Sequence, residues 1–217
     1  MKKIFIIFGL FSLISAGVNA DFTDNFDGGV SPLWKPVSGI WEAKDDLYHV
    51  RATGVLPGFS ILPFEVTDGT VIETDAMITG NATYKNVHLA FAYVNDSDIY
   101  VASVGVLAGQ WVIGHTGAGG WNQAGWFMLA ANKDVNISVG EWYNFRLEIH
   151  KSTVSFFANN NLKVEYKFPD GIPKGRIGIG VVGSDTLFDN MKITGEMNLS
   201  VKPIGKCVTT WASIKSR

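Results

Sequence analysis

Residues 70–78, Thr-Val-Ile-Glu-Thr-Asp-Ala-Met-Ile, alternate without a break. Ile72, Thr74, Ala76 and Ile78 fall on one side, and Val71, Glu73, Asp75 and Met77 on the other. A period of two is that of a β-strand with one face buried, and it recurs along the chain. Residues 87–94 set Val87, Leu89, Phe91 and Tyr93 against His88, Ala90 and Ala92. Residues 142–150 set Tyr143, Phe145, Leu147 and Ile149 against Trp142, Asn144, Arg146, Glu148 and His150. Strands with one apolar and one polar face belong to antiparallel sheets that turn a side to solvent. Residues 153–158 and 162–168 flank Asn159-Asn160-Asn161, and asparagine accepts the left-handed backbone of a hairpin turn. Further strands are expected at 22–26, 40–43, 46–51, 58–64, 99–106, 110–115, 126–131, 175–182 and 186–194. With turn residues at short intervals and no 3.6-residue period across 21–195, the expected fold is an all-β antiparallel sandwich.

Composition and the chain ends narrow the function. The 217 residues carry 18 Lys and Arg against 20 Asp and Glu, a net charge of −2, so the basic footprint of a nucleic-acid binder is missing. At 47% hydrophobic the chain is not disordered, and its single Cys, Cys207, builds neither a disulfide framework nor a cysteine zinc cage. Met1-Lys2-Lys3 is a basic head, Ile4 to Ile14 an apolar core, and Val18-Asn19-Ala20 a small-residue cleavage signal. Residues 1–20 therefore read as a signal peptide cleaved before Asp21. Its apolar core is shorter than the roughly 20 residues that span a bilayer, and no later segment reaches that length. The mature protein is expected to be exported, periplasmic or extracellular. The sandwich is expected over 21–195. Residues 196–217, with Lys202, Lys206, Lys215 and Arg217, read as a basic tail outside it. Oligomeric state stays open.

The order of three blocks carries a resemblance. Glu141-Trp142-Tyr143-Asn144-Phe145-Arg146-Leu147-Glu148-Ile149 precedes the asparagine hairpin, followed by Lys174-Gly175-Arg176-Ile177-Gly178-Ile179-Gly180 and Leu187-Phe188-Asp189-Asn190-Met191-Lys192-Ile193. At the front, Phe22-Thr23-Asp24-Asn25-Phe26-Asp27 precedes Trp34, then Gly39-Ile40-Trp41-Glu42. Over about 21–194 this resembles a concanavalin A-like lectin/glucanase jelly roll of the laminin-G-like or 3-keto-disaccharide-hydrolase-like type. That superfamily hosts lectins, adhesion modules and hydrolases, so the fold does not choose among them.

Several motifs bear on the choice. Glucanases of the superfamily carry Glu-x-Asp-x-Glu on a strand, with nucleophile and acid on one face. Here Glu73 and Asp75 match, but Met77 stands where the acid belongs. Glu73, Asp75, His88 and Arg146 remain catalytic candidates for a concave face, against the reading of an ordinary solvated strand surface. Gly178-Ile179-Gly180-Val181-Val182-Gly183 spells a dinucleotide fingerprint without its βαβ context and reads as a strand with small residues for close packing. The stronger signal is residues 110–126, a Gly-rich stretch in which Asn122 and Gln123 follow Trp121. Indoles stack on pyranose faces and amides pair with vicinal hydroxyls, so Trp121, Asn122 and Gln123 are candidate carbohydrate contacts. Trp111 and Trp126 flank them in the same candidate carbohydrate set, with packing into the core as the favoured reading for these two. The resemblance also implies a structural calcium as a candidate, at Asp189 with Asp27 or Gly39; no other cofactor is expected. The leading expectation is an exported module that binds an oligo- or polysaccharide without cleaving it. The alternatives are a glycoside-cleaving enzyme of the 3-keto-disaccharide-hydrolase type and a cell-surface adhesion module with a protein partner.

Overall fold

The computed structural model describes residues 21–52, 57–80, 84–117, 120–121, 125–196 and the backbone of 198–199. Strands run β1 (Phe22–Asp24), β2 (Lys35–Ser38), β3 (Ile40–Lys44), β4 (Leu47–Arg51) and β5 (Pro57–Glu65). Next come β6 (Val71–Ile78), β7 (Asn86–Asn95), β8 (Asp98–Gly105), β9 (Gln110–Thr116) and β10 (Trp126–Asn132). β11 (Trp142–His150), β12 (Thr153–Ala158), β13 (Asn161–Lys167), β14 (Arg176–Val182), β15 (Asp185–Thr194) and β16 (Asn198–Leu199) complete them. The first sheet has the order β13-β12-β11-β6-β15-β4-β3, with β1 also on β15. The second has the order β10-β9-β8-β7-β14-β5-β16, with β2 also on β5. The fold is an all-β antiparallel two-sheet sandwich. Among the described residues no helix is long and apolar enough to cross a membrane.

The alternation chooses the inward faces. Ile72, Ala76, Ile78, Phe145, Leu147, Ile149 and Phe188 from the first sheet are buried, as are Val87, Leu89, Phe91, Trp111, Ile113 and Ile179 from the second. They form one core, with Trp111 lying across Phe145 and Phe156 at ring distances of 6.4 and 5.8 Å. Apolar burial of this kind is the main force holding the sheets together. Residues 159 and 160 both take left-handed φ, 47° and 63°, which is the twist a two-residue hairpin needs; Asn161 already belongs to β13. The Asn159 side chain also accepts from the Asn144 N–H, tying the hairpin end to β11.

Irregularities shape the sheets where the period of two fails. Asn190 has φ 50°, and the register of β15 on β6 shifts between Asp189 and Lys192. The kink lets β15 pair with β4 before it and with β1 after it. β7 shifts between Ala90 and Ala92, which puts Phe91 and Ala92 both in the core and sends Tyr93 to the opposite face. Tyr93 therefore does not share a face with Val87, Leu89 and Phe91, as strict alternation predicts. In the opening segment Asp24 accepts from the Phe26 and Ser31 N–H groups and from the Trp34 indole at 2.9 Å. That carboxylate fixes the turn that seats Phe26 and Trp34 in the core. Past residue 195 the chain still touches the sandwich: β16 pairs with Phe64 and Glu65, and Thr67 Oγ1 donates to the Glu196 carbonyl. Residues 1–20, 200–217 and Cys207 among them lie outside the described residues.

Candidate functional site

The outward face of the second sheet is not simply polar. Registers align Phe59, Gly180, His88, Ser103 and Val112 in one row across β5, β14, β7, β8 and β9. The next row is Val182, Asn86, Gly105 and Gln110. Small residues hollow this surface: a side chain at Gly180 would collide with the Phe59 ring, and one at Gly105 would meet Asn86. Phe59, Ile61, Ala90, Tyr93, Ile99 and Val101 make a second apolar cluster here, against which Trp121 and Trp126 pack. The small residues of the 178–183 strand thus have a packing role. Gly178 and Gly180 let Ile61 and Phe59 lie across β14.

The result is a cavity of about 430 Å³ whose lining includes Tyr84, Asn86, His88, Ser103, Gln110, Trp121 and Trp126. After β9 the Gly117 N–H donates to the Gly125 carbonyl at 2.7 Å, and Trp121 lies against this face. Trp121 stacks on Phe59 at 5.3 Å and on Trp126 at 5.4 Å, and lies 5.1 Å from the His88 ring. Beneath Trp126 lies Gly114, where a Cβ would sit 2.5 Å from the indole. Replacing Gly114 by valine is expected to lift Trp126 off the sheet, at a cost of about 1–3 kcal/mol, the usual penalty for overpacking. Urea unfolding and a shift in tryptophan emission measure it.

His88 is 2% exposed, and among the described residues neither ring nitrogen has a hydrogen-bond partner; the Trp121 indole N–H is buried and has none there either. Burial pushes the His88 pKa down to about 3, so the ring is neutral across ordinary pH and offers one donor and one acceptor. Unpaired buried polar groups cost free energy; the others among the described residues, His49 Nε2 and Arg146 Nε, belong to the first sheet.

The other sequence candidates lie elsewhere. Glu73, Asp75 and Arg146 share the outward face of the first sheet, Arg146 opposite Glu73 and Asn144 opposite Asp75. His88 belongs to the second sheet, with the core between, so these four residues do not form one cleft. Asp75 accepts from the Asn144 and Asn190 amides at 2.9 Å each. Arg146 pairs with Glu148 at 3.2 Å and lies over the Phe157 ring. Asp75 and Arg146 thus sit in a partnered surface network, for which a structural role suffices.

Trp111 is fully buried between the sheets, its N–H given to the Asp134 carbonyl, and reaches no ligand; it does not belong to the carbohydrate set. Trp126 departs from its expected place in the core and forms the cavity wall. Asn122 and Gln123 lie outside the described residues. Asn86, Ser103, Gln110 and Tyr84 line the cavity and were not singled out by the sequence. The signal that could have found Ser103 is a small hydroxyl, buried, in the otherwise apolar Val-Ala-Ser-Val run of β8.

Of the calcium candidates, Asp27 lies close enough to Asp189 for its charge to act there, whereas Gly39 does not share their end of the sheet. Asp189 follows Phe188, which pairs with Tyr48, whereas Gly39 precedes Ile40 at Arg51, the other end of β4. The Asp189 carboxylate already accepts from the Asn190 N–H, and Asn25 donates to Asp27. Burial raises the Asp189 pKa; the Asn190 N–H opposes this, and the Asp75 and Asp27 charges add to it. Among the described residues no group of three or more His, Cys, Asp or Glu is disposed to hold a metal.

A family model described as the 3-keto-α-glucoside-1,2-lyase-like domain matches residues 21–194. No curated protein matches the chain. Among solved structures, the carbohydrate binding module CBM66 from Bacillus subtilis superposes with a TM-score of 0.64 at 16% identity, over 75% of this chain and 96% of that one. A galectin-like protein of unknown function from Bacillus subtilis gives 0.58 at 12% identity, over 81% and 95%. The GlcNAcα1-4Gal releasing endo-β-galactosidase from Clostridium perfringens gives 0.55 at 13%, over 88% and 66%. At these identities the similarity is one of fold, and binding modules and glycosidases share it.

Proposed function

The chain belongs to the 3-keto-α-glucoside-1,2-lyase-like domain family, and from that premise we propose that it is an exported protein that binds carbohydrate in the cavity of its second sheet and does not cleave it. The observation that carries this reading is the Trp121–Trp126 pair standing as one wall over a floor of His88, Asn86, Ser103 and Gln110. Flat aromatic surface beside hydroxyl, amide and imidazole groups is complementary to a sugar ring, which has an apolar face and a polar rim. The volume, about 430 Å³, suits a ligand of one or two sugar rings.

The argument against cleavage is the placement of carboxylates. Glycoside hydrolysis by the usual route needs two of them, about 5–9.5 Å apart around the scissile bond. No residue lining the cavity is Asp or Glu. Residues 53–56, 81–83, 118–119 and 122–124, outside the description, contain none either. Glu73 and Asp75 face solvent from the opposite sheet.

One observation favours a second reading: His88 is a neutral, unpaired base at the cavity of a chain whose family is named for a lyase. A single experiment separates the two. The purified protein is incubated with a broad oligosaccharide and polysaccharide panel, scored for retention and for released products. Retention without products supports binding alone. Products that vanish in His88→Gln establish cleavage. The Glu73→Gln and Asp75→Asn variants are expected to retain sugar within about twofold of the parent, as surface substitutions remote from the site do. A loss of more than tenfold in either would move the site to the first sheet.

A further inference from the structure

Resting on the carbohydrate reading, we propose that the cavity selects an uncharged saccharide, whose hydroxyls complete the hydrogen bonds left open on His88 and Trp121, and that it rejects uronic and other acidic sugars. None of the twelve lining residues is Asp, Glu, Lys or Arg. The stretches of sequence nearest it in the chain but outside the description, 81–83, 118–119 and 122–124, hold no charged residue either. A carboxylate entering this cavity would give up its water and meet no cation among the described lining residues, and an unpaired desolvated charge is strongly penalised. Histidine is the one lining group that a protonation step would turn into a cation, and burial holds it neutral far below the pH at which proteins usually work.

The Trp121 indole N–H is donor only, and the neutral His88 ring is donor at one nitrogen and acceptor at the other. Their ring centroids lie 5.1 Å apart, so the two groups fall within the span of one sugar ring. A hydroxyl both gives and takes a hydrogen bond, and only such a group satisfies donor and acceptor together. A carboxylate has no proton to give the histidine acceptor. Recognition by paired donors and acceptors that would otherwise stay buried and unsatisfied discriminates more sharply than apolar contact does.

The test uses cellobiose, maltose, lactose and mannobiose, each beside its counterpart with the non-reducing C6 oxidised to a carboxylate. Affinities are read by calorimetry at about pH 5 and about pH 8, where the histidine of this site keeps one charge state. The expected result is binding of at least one neutral disaccharide, unchanged with pH, and a loss of about 100-fold or more in its oxidised counterpart. Trp121→Phe keeps an aromatic wall and removes the donor; a loss of about fivefold or more is expected. Equal or tighter binding of the oxidised sugars overturns the inference while leaving the carbohydrate reading in place. So does unchanged affinity in both Trp121→Phe and His88→Asn. Silence toward both sets overturns the inference and the reading together.

Discussion

Replacing Trp121 by alanine is expected to abolish retention on every saccharide that the parent protein holds, while the protein still folds. The indole forms the wall of the cavity with Trp126 and rests on Phe59 and His88. Its removal takes away the surface on which a sugar ring stacks and opens the cavity to water. Central aromatic anchors of this kind are worth about 2 kcal/mol or more on truncation, so affinity falls by about 30-fold at least. Trp121 belongs to a loop over the outer cluster and not to the core between the sheets, and folding is expected to lose only about 1–2 kcal/mol. Affinity electrophoresis and a thermal melt read the two effects separately. A variant that folds and binds like the parent would place the ligand elsewhere.

The second large effect is on stability, and it follows from the burial of His88. The folded pKa is about 3, against 6.5 for the exposed ring, and burial is the cause. Between those values the unfolded chain holds a proton that the folded protein lacks, so stability rises with pH through this window. It is fully present above about pH 6.5 and is lost as the pH falls toward 3, at about 1.4 kcal/mol per pH unit. No carboxylate lines the cavity to pair with an imidazolium and relieve this. Urea unfolding at about pH 4.5 should therefore show about 3 kcal/mol less stability from this residue than at pH 7. The control is His88→Gln, in which that share of the pH dependence is absent and only the contribution of the other titratable groups remains. Equal pH slopes in parent and variant would show that the ring is protonated or solvated in the folded state.

The sandwich was legible because each buried strand repeats its pattern. Ile72, Thr74, Ala76 and Ile78, or Phe145, Leu147 and Ile149, state their inward faces without any knowledge of their neighbours. The Asn159-Asn160 turn was equally local. The cavity was not local. Asn86, Gly105 and Gln110 become neighbours only through the registers of β7, β8 and β9, and three strands cannot be aligned from alternation alone. The same limit explains why His88 read as a companion of Glu73 and Arg146. The pattern says that each lies on a polar face and is silent about which sheet owns the face. Trp126 and Trp111 differ for a related reason. Both sit in strands, but Trp111 faces the core in β9, whereas Trp126 on the edge strand β10 crosses over Gly114 on the outward side. Nor does alternation survive the shift within β7, which Phe91 and Ala92 show by both turning inward.

Indole N–H resonances give the most direct test, since six of the seven tryptophans lie among the described residues as placed reporters, Trp211 being the other. Trp34, Trp41 and Trp111 donate to Asp24, Ser38 and Asp134, Trp142 is exposed on the first sheet, and Trp121 and Trp126 frame the cavity. A neutral oligosaccharide retained by the protein is titrated into a labelled sample, and the indole cross-peaks are followed. The Trp121 and Trp126 peaks are predicted to move in step with saturation while the other four stay in place. Movement of Trp142 with Trp121 and Trp126 unchanged would put carbohydrate on the first sheet and contradict the account.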